Sequence, residues 1–502
     1  MRGSRSPLGV VLVAGTAAVL GTIGIVVGVT FAPTPKLVTN TTSGKNQNAS
    51  VDKRGELVVF TSNVNHVSGV DGSSPAGAFD FDSMGNDFTP PNATHPDPRC
   101  LNCSAVDSGD GQLYLWRRSA NTLAQLTFAA GGGFAANQLP DINQNGTVVA
   151  WDSDRDHTPG SPGNADGNRE IVLLDLSSGA ISQVTDTAGG GETANLNVNW
   201  SDAGNVLVFE STRDFASVSG CTLGDGTSPC ANPDGNSEIM LFDRQANAFT
   251  QITDTTGGDG SANNRPRISN EGRFVAFQST RDFSGSLPGG ATCTRLDGGA
   301  CSNEGNGEIM RYDRLTNAFL QVTDTTCDGA TANERVEISK GGRFITWQSA
   351  CESQLDASAC GSCSGNDEAF LFDGSGPTIT QLTISGSGFN RVPRITGDGR
   401  YIIFESNRNY RNLNPGHLRL LYILKRGTGP ATAGISGSGQ LVEDGASSLT
   451  QNAHTKVLTI NFAGGFNTTV EQFGASSRGR FYVFDNNKGV RNQEIWFLDR
   501  TR

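Results

Sequence analysis

Short apolar runs alternate with clusters of turn residues along this chain, and the same polar letters return around them. The recurring pattern is G-x-x-V-x-F-x-S-x-R-D, a variable loop, then G-N-x-E-I-x-L-x-D, a turn, and Q-[VI]-T-D-T. Clear copies begin at Gly146, Gly204, Gly272, Gly342 and Gly399, a degenerate copy at Gly55 and a truncated one at Gly479. A unit of this size cannot bury its own faces, so the copies must stack on one another.

The copy that starts near Asn263 predicts four short strands. They lie at 266–269, 273–277, 308–313 and 317–323, with a tight turn at Asn270-Glu271-Gly272. Four antiparallel strands per copy make one propeller blade, whose two faces both pack on neighbours. Third strands are expected at 113–116, 171–174, 239–242, 309–312, 369–372, 420–424 and 495–498, which predicts seven blades. The last copy has no fourth strand before Arg502, whereas Leu37-Val38-Thr39-Asn40-Thr41-Thr42 matches Gln251-Ile252-Thr253-Asp254-Thr255-Thr256. Residues 37–42 are therefore expected to close the ring as the outer strand of the seventh blade, covering an open edge. The least regular stretch is 427–478, a Gly/Ser/Thr-rich insertion whose best strand candidate is 456–462.

The chain has 502 residues, which on length alone suggests about three domains. The repeats overrule that and predict one propeller over 33–502, after a hydrophobic segment within 1–32. The 64 glycines suit many turns, and the formal charge of −12 without a Lys/Arg cluster excludes a nucleic-acid groove. Arg2 and Arg5 precede an uncharged, mostly apolar stretch from Leu8 to Ala32. That is long enough to span a bilayer as a helix, with its basic end inside, and it reads as a signal anchor or a cleaved signal peptide. The body is then exported, to a periplasmic, cell-surface or secreted location. The even set of cysteines agrees: Cys100, Cys103, Cys221, Cys230, Cys293, Cys301, Cys327, Cys351, Cys360 and Cys363 read as disulfide staples. Cys221/Cys230 and Cys293/Cys301 occupy matching loops and suggest local bridges, while Cys100-x-x-Cys103 with Cys360-x-x-Cys363 leaves a four-thiolate zinc site as the alternative.

The run I-S-N-E-G-R-F-V-A-F-Q-S-T-R-D, followed by E-I-M-R-Y-D and Q-V-T, resembles the TolB-type (WD40-like) propeller repeat. The resemblance covers about 37–502 and implies the fold. Such propellers occur as periplasmic TolB, as noncatalytic domains of prolyl-oligopeptidase-like peptidases and as oligogalacturonate lyases. This chain departs from each. It has neither the extra N-terminal domain of TolB nor a hydrolase domain with a G-x-S-x-G elbow, and too few clustered histidines for the lyase type of metal site.

Long loops at 63–111, 215–236, 283–306 and 351–366 share one face with the T-D-T-G-G-G connections, and the opposite face has only tight turns. Function is expected on the long-loop face. Asn164-x-Asp166-x-Asn168-x-Glu170, Asp234-x-Asn236-x-Glu238 and Glu304-x-Asn306-x-Glu308 place oxygen ligands two apart, a pattern that suits Ca²⁺ or, as turn chemistry, a structural role. Asp141-x-Asn143-x-Asn145-Gly146 with Asp152 mimics an EF-hand loop but falls in the tight turn of its repeat. His66 and His157 occupy a position that holds Phe215, Phe283 and Tyr410 elsewhere, so they read as members of an aromatic ring; His95, His417 and His454 are isolated. The pairs Arg155/Asp156, Arg213/Asp214 and Arg281/Asp282 read as interblade ion pairs. N-x-S/T sequons at Asn40, Asn48, Asn92, Asn102, Asn145 and Asn467 matter only in a glycosylating host.

The expected function is a noncatalytic exported scaffold, a monomer that binds a protein or glycan on its long-loop face. It binds no nucleic acid and meets the membrane only through its N-terminal segment. No residue is assigned a catalytic role, and calcium is the one cofactor the residues suggest. The alternatives are a polysaccharide lyase or hydrolase with a metal at the channel mouth, and a calcium-stabilised structural surface protein.

Overall fold

The computed structural model describes residues 36–39, 45–63, 111–127, 136–158, 163–189, 194–257, 262–285, 287–303, 305–325, 333–351, 366–376, 378–386, 388–409, 420–426, 441–442, 457–460, 473–476, 480–487 and 493–499. The expected N-terminal segment, the loop over 64–110, His66, His95, His417 and His454 lie outside them. No helix among the described residues is long and apolar enough to cross a membrane.

Seven sheets of four or five strands account for nearly all the described strands. We number the blades I to VII by their innermost strands: Asn46–Val51, Asn137–Ile142, Asn195–Trp200, Asn263–Ile268, Asn333–Ile338, Asn390–Ile395 and Phe473–Ala475. The third strands, Gln112–Arg117, Glu170–Asp175, Glu238–Asp243, Glu308–Asp313, Glu368–Asp373, Leu420–Lys425 and Gln493–Asp499, coincide with the seven that the apolar pattern marks. In blade IV the inner strand starts three residues earlier than the sequence suggests, at Asn263.

Second strands such as Val206–Ser211 are buried at every position. Side chains alternate across a strand, so successive residues enter different cores. Leu207 and Phe209 pack with Val148, Ala150 and Ile171 of blade II. Val206 and Val208 pack with Ile268, Val275 and Phe277 of blade IV. This two-sided burial is why the strands read as nearly continuous apolar runs.

The inner strands of blades I to VI share a feature that no apolar pattern marks. Its third residue, Asn48, Leu139, Asn197, Arg265, Arg335 or Val392 in blades I to VI, has φ between 48° and 61°. The register with the second strand shifts there, as a β-bulge. Left-handed backbone is costly for Leu, Arg or Val and persists only where neighbours hold it. The preceding blade does so: the Arg265 N–H donates to Glu210 Oε2 at 2.8 Å, and the Val392 N–H to Gln348 Oε1 at 2.7 Å.

The ring closes with its own N-terminus. Lys36–Leu37 pairs with the third strand of blade VII, Lys36 opposite Phe497 and Leu37 opposite Trp496. The Val38 N–H donates to Ile495 O at 2.8 Å, and the Ile495 N–H to Thr39 Oγ1 at 2.8 Å. Thr127, Thr253 and Thr323 hold Leu113, Ile239 and Ile309 in the same way, so Thr39 supplies the missing Q-[VI]-T. Residues 40–42 of the expected strand lie outside the described residues.

Two further corrections concern the loops. Blades III and IV carry a fifth strand, Thr222–Leu223 and Thr292–Arg295, each parallel to the outer strand of its blade. The long loops there turn down the outer edge instead of standing only on one face. In the irregular insertion, Val457–Ile460 is the fourth strand of blade VI, inside the expected span, and Leu441–Val442 pairs in parallel with Thr383–Ile384 after blade V.

Candidate functional site

The recurring letters of the repeat meet at the long-loop end, between blades. In blade III the carboxylate of Glu238 accepts from Thr255 N at 2.7 Å and Thr255 Oγ1 at 2.8 Å, and from Asn263 Nδ2 of blade IV at 3.2 Å. Asn263 Nδ2 also donates to Ser237 O, and its Oδ1 accepts from Ser279 Oγ at 2.8 Å. Glu170, Glu308 and Glu368 repeat the arrangement with Asn195, Asn333 and Asn390. The Glu, the Thr-Asp-Thr and the leading Asn are thus one interblade hydrogen-bond network, and a buried network of this kind fixes geometry when every member is satisfied.

Burial outweighs those donors and pushes Glu238, Glu308 and Glu368 up to about 7 and Asp152 up to about 6. A raised carboxyl holds its proton in the folded state while the unfolded chain has lost it. Stability then falls as pH rises from the ordinary carboxylate range through about 7. His157, which burial lowers to about 4, works in the opposite sense only below its ordinary value of 6.5, and Lys340, which burial lowers to about 7, only above about 7; they are two groups against four. We expect the denaturant midpoint to be lower at pH 7.5 than at pH 5.5; an equal or higher midpoint would refute the assignment.

The calcium candidates separate into three groups. Glu170 and Glu238 are consumed by the network and do not face an ion site. Asp166 and Asp234 sit exposed at loop tips, where one oxygen accepts from Gly189 N at 2.9 Å and Gly257 N at 2.6 Å respectively. Asn168 and Asn236 are fully buried and donate to Thr187 O and Thr255 O. Among the described residues no three His, Cys, Asp or Glu form a metal cluster. The EF-hand reading dissolves. Asn143 Oδ1 caps the N–H groups of Thr147 and Val148, Gly146 takes φ 70° in the turn, and Asp152 pairs with Arg169 in the core.

His157 packs edge-on against Trp151, with centroids 5.5 Å apart, as Phe215 packs on Phe209 and Phe283 on Phe277. Its Nε2 lies 2.8 Å from Asn137 Oδ1 and 3.0 Å from Ser153 Oγ, all buried, so the Ser–His contact is part of the blade core. The Arg-Asp readings need correction. Asp156, Asp214 and Asp282 cap N–H groups two residues on, at Thr158, Ala216 and Ser284, and Arg155 pairs with Asp154. Cys221–Cys230 and Cys293–Cys301 are bridged, and Cys351 is bonded to a cysteine outside the described residues. Cys100, Cys103, Cys327, Cys360 and Cys363 lie outside them too, and with them the zinc alternative. Of the sequons, Asn48 is buried in an inner strand, Asn145 is exposed at a turn tip, and the other four fall outside.

The channel holds a site that the repeat letters do not mark. A cavity of about 120 Å³ at its tight-turn end is lined from all seven blades. The next-to-last residues of the inner strands face each other there. Asp141 accepts from Ser50 Oγ at 2.7 Å, Asn199 Nδ2 at 3.1 Å and Trp200 N at 2.9 Å. Glu337 binds Arg267 at 3.6 Å and Arg394 more closely. Burial pushes Asp141 up, and burial together with Arg394 pushes Arg267 down to about 10. Below this ring the turns bond backbone to backbone: Asp202 N to Asn270 O, Asn270 N to Lys340 O and Lys340 N to Gly397 O, at 3.2, 2.7 and 3.0 Å. Acids and bases here are matched against each other, which stitches the blades around the axis.

No family model and no curated protein matches this chain. Solved structures do. TolB from Acinetobacter baumannii is 17% identical over 63% of this chain and 57% of that one, with a TM-score of 0.36. Oligogalacturonate lyase from Vibrio parahaemolyticus is 10% identical over 92% of each chain, with a TM-score of 0.45. The β-propeller domain of the Trilobed protease from Pyrococcus furiosus is 9% identical over 92% of this chain and 95% of that one, with a TM-score of 0.44. This chain spans about 57% of the length of the Acinetobacter TolB. Such distant likenesses speak to fold alone. The repeat letters, set against the observed sheet order and the bond at Thr39, decide it. In fold, this is a β-propeller. Matched charges line the channel at the tight-turn end, and the described loops of blades III and IV run along the outer edge of their blades.

Proposed function

We propose that this propeller is an exported, noncatalytic scaffold that binds a protein or glycan through its long-loop end. The observation that carries this reading is the way the blade III and IV loops are fixed. Cys221, Cys230 and Cys301 are buried in the blade cores, and each bridged loop adds a strand to its blade. A surface ordered before binding loses less entropy on binding. The disulfides support export, because such bridges persist in oxidising compartments.

A photo-crosslinking residue placed at Ala216 or Ser284 in the expressed chain should capture one discrete partner, and the same residue at Lys53 or Glu271 in the tight turns should not. Capture confined to the turn positions would overturn the assignment of the face. Release of unsaturated or reducing sugar ends from polygalacturonate by the purified chain would overturn the noncatalytic reading.

A further inference from the structure

We propose that the Asn-x-Asp-Gly-Asn loops of blades II and III are Ca²⁺ sites, formed by Asn164, Asp166 and Asn168 and by Asn232, Asp234 and Asn236. The inference stands apart from the scaffold reading. It starts from four atoms: the Oδ1 oxygens of Asn164, Asn168, Asn232 and Asn236 are buried and accept no hydrogen bond. All four residues are at least nine-tenths buried, at 6%, 0%, 5% and 0% exposure. Buried polar atoms are nearly always satisfied, so a recurring exception calls for a ligand.

The amides cannot flip to escape. Asn164 Nδ2 donates to Asn168 O at 2.7 Å and Asn232 Nδ2 to Asn236 O at 2.8 Å, which closes each loop on itself. Asn168 Nδ2 and Asn236 Nδ2 are held by Thr187 O and Thr255 O. What is left in each loop is a set of acceptors with no donor: two amide oxygens and the carboxylate between them. The aspartate gives one oxygen to a backbone N–H, Gly189 or Gly257, and keeps the other.

Unsatisfied amide oxygens on either side of a carboxylate describe a cation site. Oxygen donors without His or Cys select a hard ion, and amide oxygens with carboxylates in a flexible loop suit Ca²⁺ better than the stricter octahedron of Mg²⁺. The seventh residue of the motif, Glu170 or Glu238, is not a ligand, because the interblade network uses it. Bound calcium would tie the loop before the third strand to the connection after the fourth.

The test uses the full chain stripped with EGTA. Equilibrium dialysis against CaCl₂ should show one calcium retained per loop, and the melting temperature should rise with CaCl₂ and much less with the same concentration of MgCl₂. The double variant Asp166→Asn/Asp234→Asn should lose both effects while melting like the stripped parent. Asp225→Asn, inside the Cys221–Cys230 loop just before the blade III motif, should keep both. Retention of no calcium by the parent chain overturns the proposal whatever the variants do and leaves water as the occupant. Unchanged retention in the double variant overturns it equally.

Discussion

A chain lacking residues 33–45 is expected to melt at least roughly 5 °C below the full chain, and to aggregate as it does so. The deletion removes the outer strand of blade VII. Val38 and Thr39 are 5% and 0% exposed, and Val38 belongs to the cluster that joins Phe481, Val483, Ile495 and Phe497 to Val51 and Val58 of blade I. Without it the Ile495 N–H loses Thr39 Oγ1, and the strand Gln493–Asp499 becomes a bare edge beside a core that closes the whole ring. The loss is larger than a surface strand would suggest, because every other interface depends on the ring staying closed. Calorimetry on the two chains checks it, with Thr39→Ala as the milder arm, at about 1–2 kcal/mol for one buried hydrogen bond. Superimposable melting curves for the full and shortened chains would show that the strand does not close the ring.

Gly342→Ala is expected to cost about 2–4 kcal/mol, combining left-handed backbone strain with overpacking. Gly342 has φ 70° in the tight turn of blade V, and a Cβ there would lie 2.1 Å from Cδ2 of Phe274 in blade IV. The ring cannot swing away freely, since the guanidinium groups of Arg273 and Arg311 lie over it at 4.6 and 5.0 Å. Gly167→Ala separates the two contributions. Its φ is 69°, but nothing lies within 4 Å of the added atom, so only the strain remains, at about 1 kcal/mol. Denaturant titration of both variants reads the difference, and equal costs would mean that contact with the neighbouring blade contributes nothing.

The sites were legible unevenly. The Glu, Thr and Asn of the repeat stood out as letters, and their spacing suggested ion ligands. The structure gives the glutamates to the interblade network and leaves only the asparagine oxygens and the loop aspartates for a cation. Asp141, Asn199, Glu337 and Arg394 were invisible as a group, because the blades place different residue types at one shared lumen position. The bulge at Leu139 or Val392 was equally hidden: nothing in a valine announces a positive φ, and the donor–acceptor partner lies one blade away.

The sequence by itself determined the strand order, the third strands, the tight turns and the N-terminal closure, because each depends on local periodicity or on one copy matching another. Only the tertiary structure decided which carboxylates are spent between blades, where the long loops of blades III and IV run, and which charges meet in the channel. Those depend on which side chains meet across a blade interface, and such contacts leave no fixed spacing along the chain.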